Sequence, residues 1–464
     1  MQGIKGKAIL LKTLFVQHKA ANLFLLIAVC VGILMAYITP PFQECDGWFH
    51  YLLAMDVSYG NLFSPWVNIS AHDDGFIYVP ENYEDIGYHS TELGTGDGGA
   101  FIRHLKGMKF SAKATEIRLE AAYVSLFYYP QAFGYFLGRI LQMSAFGSVV
   151  LSRFFNLLVF LAMTYTAVRI TPILKHTMAV IALFPLTLYQ ASSGSPDAML
   201  NGFCFLFVAL CFYYAYGEKE QLEWTDACRV GILLGIIFLC KYVYICLGVL
   251  VFLIPTKKFK TKKDYWKSFA IALIPIAVIG AIGAVHAFSL VALGQPSIET
   301  VGMTQTQYLA EHPAFILKVL LATFKHNFTV YMSELNTLGS LNYSMEPLIF
   351  IVPMFAMFVG CLDCNDVSSR MKIRDKLICF AAFLLVSTGV VVAMYLADGN
   401  ANKVGALIVE GVQGRYFIPA LPVFFAAILQ SGLESRIKYF TEKVIGGMGI
   451  LLIFSLYMLH SYCV

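Results

Sequence analysis

Apolar runs long enough to cross a bilayer recur along nearly the whole of this chain, and they limit its fold more than any other feature. A hydrocarbon core of roughly 30 Å needs about 20 apolar residues in helical form, because lipid satisfies no exposed backbone amide. The first run covers about 20–38, behind a basic segment with Lys5, Lys7, Lys12 and Lys19. Further runs cover approximately 149–168, 177–191, 200–216, 229–240, 241–254, 268–292, 346–361, 377–396, 416–431 and 444–461. Separated by short polar or basic breaks, they predict about eleven crossings and an all-α polytopic membrane protein forming a single domain over 1–464. Composition agrees: 58% of the 464 residues are hydrophobic and 13% charged, against roughly 25% charged in a soluble domain, which excludes a soluble globule. The first run also resembles a signal peptide. Its length, and the lack of a small-x-small site before Pro40 and Pro41, favour a retained helix.

Hydropathy leaves 121–148 ambiguous, since Pro130, Gln131 and Arg139 interrupt it and aromatic residues such as Tyr128, Tyr129 and Phe133 crowd it. Charge resolves it, because cytoplasmic loops collect Lys and Arg and one miscounted helix inverts every later loop. If 121–148 does not cross, one side holds 1–19, Arg169 with Lys175, Lys219 with Arg229, Lys257 to Lys267, Arg370 to Lys376, and Arg436 to Lys443. That side carries 21 of the 33 basic residues and 10 of the 29 acidic ones. The stretch 121–148 is then an outer-face juxtamembrane helix, and 229–254 is a pair of short crossings that turns near Lys241. This puts the N-terminus on the inner, cytoplasmic side of a plasma membrane. The outer loops are 39–148, 293–345 and 397–415, and chemistry is expected on that outer face.

Several function classes lose support. The net charge is only +4, so no strong field points to nucleic acid. Most of the 11 Cys lie in apolar runs, a pattern of buried thiols rather than a disulfide framework. Cys361-Leu362-Asp363-Cys364 has no second ligand pair and makes a poor zinc site. The Gly-rich run Gly94 to Gly99 follows no strand and reads as an irregular excursion. No Walker loop, dinucleotide fingerprint, H-E-x-x-H or G-x-S-x-G is present.

Four constellations remain. In Pro40-Pro41-Phe42-Gln43-Glu44-Cys45-Asp46-Gly47-Trp48-Phe49-His50, Asp46 and His50 share one face if helical, as a base beside an imidazole or as a helix cap beside an interface residue. Asp197, in Ser195-Pro196-Asp197, is either another cap or an outer-face carboxylate converging with Asp46. Lys241, followed by Tyr242, is flanked by apolar runs and either snorkels or meets an anion. Arg415, in Gly411-Val412-Gln413-Gly414-Arg415-Tyr416-Phe417, is a basic residue on the acidic side. Its planar fork suits phosphate or a salt bridge, for example with Glu410, and Arg153 is a similar case.

The Pro-Pro-x-x-x-x-Asp-x-x-x-His segment, Tyr128-Tyr129-Pro130-Gln131, Arg153, Ser195-Pro196-Asp197 and the Gly411 to Phe417 string together resemble one bacterial membrane family. It has long been labelled a domain of unknown function and is itself similar to the GT-C superfamily of glycosyltransferases that use polyprenyl-phosphate sugars. The resemblance spans about 20–430. It departs at Gly47, where the family often has a second acidic residue, leaving Asp46 alone. The resemblance implies a GT-C-like bundle and an inverting transfer of a sugar from a polyprenyl (undecaprenyl) phosphate carrier to a cell-envelope glycan acceptor. Asp46 would be the base, with His50 orienting it or binding sugar. Lys241 and Arg415 would stabilise the leaving phosphate, with Tyr242, Tyr416, Gln413 and Arg153 as further donor contacts. Asp197 would hold sugar hydroxyls or a divalent metal such as Mg or Mn; no other cofactor is implied. An upstream polyprenyl-phosphate glycosyltransferase and a flippase would be its partners. Rival expectations are a flippase for a lipid-linked glycan, with charges deep in several helices, and a polysaccharide polymerase or ligase, with more outer-face arginines.

Overall fold

A computed structural model of the chain describes residues 18–62, 76–86, 98–118, 125–292, 304–367, 370–396, 403–428 and 437–463. Helix α1 (Lys19–Ile38) stops as Pro40 and Pro41 approach, because a residue before proline is pushed out of the helical region. A tight turn then delivers α2 (Gly47–Ser58). Strand β1 (Phe76–Pro80), helix α3 (Gly98–Gly107) and strand β2 (Ala114–Arg118) follow, the strands antiparallel with Ile77 opposite Ile117. The first loop is thus not purely helical. It closes over its own apolar core, built on Phe42, Tyr51, Leu105, Phe110 and Tyr135. Of the glycine run, 94–97 lie outside the described residues, while Gly98 and Gly99 open α3.

The ambiguous stretch becomes a 3-10 turn at Ser125–Tyr128, helix α4 (Tyr129–Ile140) and the first turn of α5 (Ala145–Ile170). The expected 121–148 helix is therefore much shorter, with 121–124 outside the described residues and 145–148 belonging to α5. At about 1.5 Å per residue, α4 is about 18 Å long, too short to cross. Its face with Phe133, Phe136 and Ile140 is exposed, while Gln131, Gly134, Tyr135 and Gly138 are buried. Gly134 and Gly138 let α4 lie directly on α5: a Cβ at Gly134 would stand 2.3 Å from the Ser152 Cα, and one at Gly138 2.3 Å from the Ser148 Oγ.

The run 177–191 is broken into α6 (Lys175–Ala182) and α7 (Pro185–Ala191), because Pro185 cannot extend the hydrogen-bond ladder. Every side chain from Thr177 to Ala191 is buried, which makes this broken helix the centre of the main core. Then come α8 (Asp197–Tyr216) and α9 (Trp224–Cys240). At Lys241 the backbone turns extended, with φ −149° and ψ 106°, and a 3-10 helix, Tyr242–Leu253, runs back. The Leu222 amide donates to the Lys258 carbonyl at 2.9 Å at the open end of this pair. A Cβ at Gly248 would touch Leu234 midway along it, at 2.8 Å. The two arms are therefore antiparallel, and the turn lies at Lys241 as the basic flanking loops require.

Helix α10 (Lys262–Ala292) leads into the second loop, which contains α11 (Gln305–Glu311), α12 (Phe315–Glu334) and a short ladder of β3 (Thr337–Leu338) with β4 (Tyr343–Ser344). The chain ends with α13 (Leu348–Leu362), α14 (Ile373–Leu396), a 3-10 segment Gly414–Ala420 running into α15 (Leu421–Ile428), and α16 (Phe440–Cys463). Among the described residues, six helices are long and apolar enough to cross a membrane, and three shorter apolar ones cover 242–253, 348–362 and 414–428.

The two ends of the bundle differ in charge. At one end Lys19 pairs with Glu442, His176 with Asp363 at 2.7 Å, Lys219 with Asp226 at 2.6 Å, and Arg374 donates to the Phe252 carbonyl at 3.2 Å. The basic breaks in the sequence gather there. The opposite end carries the first loop, the turn at 192–196, Lys241 and Arg415.

Candidate functional site

The site is built on backbone that frees side chains from capping. Asp46 opens α2 in the left-handed region, at φ 58° and ψ 21°, and its carboxylate makes no cap hydrogen bond. Asp is one of the few residues that adopts this conformation at low cost. A Cβ at position 47 would stand 2.7 Å from the Phe42 carbonyl oxygen, so the turn favours Gly47 after Asp46. Asp197 does not cap α8 either: Ser195 Oγ accepts the Asp197 amide at 3.2 Å instead. Both capping readings are therefore replaced by a different pairing.

Asp46, Asp197, Lys241 and Arg415 meet. One terminal nitrogen of Arg415 lies 3.1 Å from Asp46 Oδ2, and the other 3.6 Å from Asp197 Oδ2. Lys241 Nζ donates to Asp197 Oδ1 at 2.7 Å, and Gln190 donates to Oδ2 at 2.9 Å. The Tyr416 ring closes the group, its centre 4.8 Å from Lys241 Nζ and 5.2 Å from the Arg415 guanidinium carbon. Arg415 and Asp197 are buried, whereas the Asp46 side chain is 59% exposed, so the cluster opens on its Asp46 side. Lys241, 37% exposed, is the other member that reaches solvent, and Arg415 and Asp197 form the buried half of the group.

The glycines of the last motif shape this arrangement. Gly411 has φ 83°, and a Cβ at Gly414 would stand 2.3 Å from the Tyr331 carbonyl oxygen. The Gly414 amide donates to Glu334 at 2.5 Å, and the Tyr244 hydroxyl donates to the Tyr416 carbonyl at 2.7 Å. Arg415 is thereby held from both sides. Its Nε and the Oε1 of Gln413 are buried without a protein partner among the described residues.

His50 is buried beside the cluster, with Nδ1 2.9 Å from the Tyr128 hydroxyl. Burial outweighs the pull of Asp197, Glu44 and Asp46 and pushes its pKa down to about 4, so it is a neutral imidazole near pH 7.

A family model described as "Predicted membrane protein (DUF2142)" matches residues 29–424, which is most of the chain and includes every residue of the cluster. The chain belongs to this family. No curated protein matches it, and no solved structure does.

Within this DUF2142 protein, two expected site residues fall elsewhere. Arg153 is 1% exposed, and its guanidinium donates to the carbonyls of Ala36, Thr39 and Pro40 and to Glu44. It satisfies the last carbonyls of α1 and anchors the loop carrying Asp46, rather than facing a phosphate. Tyr242 is 61% exposed beyond the turn, and the buried Tyr244 makes the contact to the Arg415 segment. Glu44, Gln190, Tyr128 and Tyr244 received no site role from the sequence, although Glu44 and Tyr128 lie within its motifs. Glu44 is the most consequential, since it takes Arg153 on one oxygen and the Gly194 amide, at 2.8 Å, on the other. It thereby ties the Asp46 loop to the turn that launches Asp197. Its position in Glu-Cys-Asp was the available signal. Among the described residues no group of three His, Cys, Asp or Glu side chains could hold a metal, and both carboxylates of the cluster already face cations.

Proposed function

We propose that this DUF2142 protein is a GT-C-like inverting glycosyltransferase of eleven crossings, moving a sugar from a polyprenyl phosphate carrier to a cell-envelope glycan on the outer face of the plasma membrane. The supporting observation is the meeting of Asp46, Asp197, Lys241 and Arg415 at one end of an apolar bundle, with Asp46 the exposed member. The acceptor hydroxyl gives its proton to Asp46 and its oxygen bonds the anomeric carbon from the face opposite the lipid. The bond from that carbon to the phosphate oxygen breaks, and its electron pair leaves on the phosphate. Arg415 and Lys241 stabilise that anion where charge develops, in a partly water-shielded site. Asp197 holds Lys241 and orients the Arg415 fork, and neutral His50, buried against Tyr128 beside the cluster, orients the turn that carries Asp46.

The test compares wild type, a deletion and Asp46→Asn in the native host, reading the envelope glycan and the polyprenyl-phosphate sugar pool by mass spectrometry. Asp46→Asn removes the base but keeps the shape, so transfer should fall by about 100-fold or more while membrane insertion is unchanged. Loss of one sugar substituent with build-up of its monophosphate carrier, alike in deletion and point variant, is the expected result. A normal glycan in a well-expressed Asp46→Asn strain, beside a defect in the deletion, would exclude Asp46 as base and move the reading to a flippase.

A further inference from the structure

A second site lies away from the cluster. Between the ends of α1 and α5 nearest the first loop is a cavity of about 370 Å³, walled by Ile33, Tyr37, Phe146, Val150 and Phe154. Lys106 of α3 is its one charged lining residue. Both walls belong to helices long and apolar enough to span a bilayer. Ile33, Tyr37 and Phe154 are 41%, 52% and 37% exposed, so the cavity opens outward from the bundle, toward hydrocarbon.

The cation at its mouth is fixed there by the fold. Leu105 is wholly buried, and the Met108 carbonyl accepts the Ala145 amide at 2.8 Å, which ties the end of α3 to the start of α5. The Lys106 ammonium stands 5.1 Å from the centre of the Phe146 ring and 5.8 Å from that of Tyr37. Those two rings meet edge to face at 5.5 Å and form the floor. Lys106 has no carboxylate partner among the described residues, and ring faces alone neutralise an ammonium weakly. A tyrosine and a lysine at a helix end also mark the depth of the lipid head groups.

We propose that this cavity binds one anionic glycerophospholipid, an acyl chain in the slot and the phosphate on Lys106. The slot is apolar and open to the bilayer, which suits a chain. The single cation favours a head group without a positive charge of its own, since a choline would be repelled by Lys106. Bound there, the lipid joins α3, and with it the small core of the first loop, to the membrane. The site shares no residue with the cluster, so it stands whether or not the chain transfers sugars.

The probe is phosphatidylglycerol against phosphatidylcholine, titrated into delipidated full-length protein and counted by native mass spectrometry. Wild type should retain one phosphatidylglycerol in preference to phosphatidylcholine. Lys106→Ala should cut that preference about fivefold, and Lys106→Arg should keep it. Val150→Trp, which fills the slot, should remove the bound lipid of either kind, with an unchanged melting temperature as the check of folding. A phosphatidylglycerol carrying a photoreactive acyl chain should label the α1 and α5 peptides that contain Ile33 and Val150. Equal retention by wild type, Lys106→Ala and Val150→Trp, or labelling confined to other helices, would overturn the proposal.

Discussion

Arg415 is the residue on which the cluster turns, because it alone touches both carboxylates. Its fork aims two separate nitrogens at Asp46 and Asp197, and an ammonium at the same position cannot reach both. Arg415→Lys should therefore lower donor use by roughly 10- to 100-fold, the worth of one charge-assisted hydrogen bond, while expression stays normal. Kinetics with a polyprenyl-phosphate sugar would read this directly, and unchanged donor dependence would reduce Arg415 to a structural ion pair. His50 makes a second claim at this scale. Its folded pKa, about 4, lies below the ordinary value of 6.5, so the unfolded chain takes up the proton first as pH falls. The contribution is complete above about 6.5 and is lost progressively toward 4. The melting temperature of wild type should fall more steeply between pH 7 and pH 5 than that of His50→Gln, and parallel slopes would remove the buried-neutral assignment. In the sequence, Asp46, Asp197, Lys241 and Arg415 each stood out singly as charge at the edge of apolar runs. Glu44 did not, because a carboxylate in a polar loop is ordinary until Arg153 and Gly194 are seen on its two oxygens.

Among elements, the long helices were legible from apolar length, since a span requires a continuous run and nothing else in the chain provides one. The hairpin at Lys241 was legible from charge, because both of its flanks are basic. The breaks were not. Pro185 divides α6 from α7 inside a stretch that hydropathy reads as continuous, and the close contact of α4 with α5 depends on two glycines whose spacing shows only once the partner is known. That contact has a testable cost. In Gly134→Leu the new side chain would begin 2.3 Å from the Ser152 Cα, so α4 must lift away from α5. Overpacking of this kind costs about 1–3 kcal/mol. It would also pull Gln131 from the Gly194 carbonyl and Tyr128 from His50, both reached from the start of α4. Gly134→Leu should thus lower the melting temperature and the activity together, whereas Phe133→Leu, on the exposed face, should leave both unchanged. A Gly134→Leu protein as stable as wild type would mean that α4 does not need its seat on α5.

Across the whole molecule, the separation of charge between the two ends makes a prediction about the direction of insertion. The end with Lys19, Lys219, Arg374 and Lys438 collects the basic segments, and cytoplasmic loops carry that excess. On that rule the cluster is expected to face outward, as the proposed envelope acceptor requires. Lys403 precedes the Arg415 segment at the cluster end and Lys260 lies at the basic end, both exposed. A membrane-impermeant maleimide added to intact cells should label Lys403→Cys above the wild-type background, and Lys260→Cys only after the membrane is opened. Reversed labelling would turn the cluster toward the cytoplasm. A lipid-linked donor used there would meet soluble cytoplasmic acceptors, and both the envelope acceptor and the need for an upstream flippase would fall with the orientation. Labelling of both positions in intact cells would instead break the odd number of crossings between Lys260 and Lys403. The α13 passage would then be the first to reassign, since it is only 15 residues long and Pro353 interrupts it.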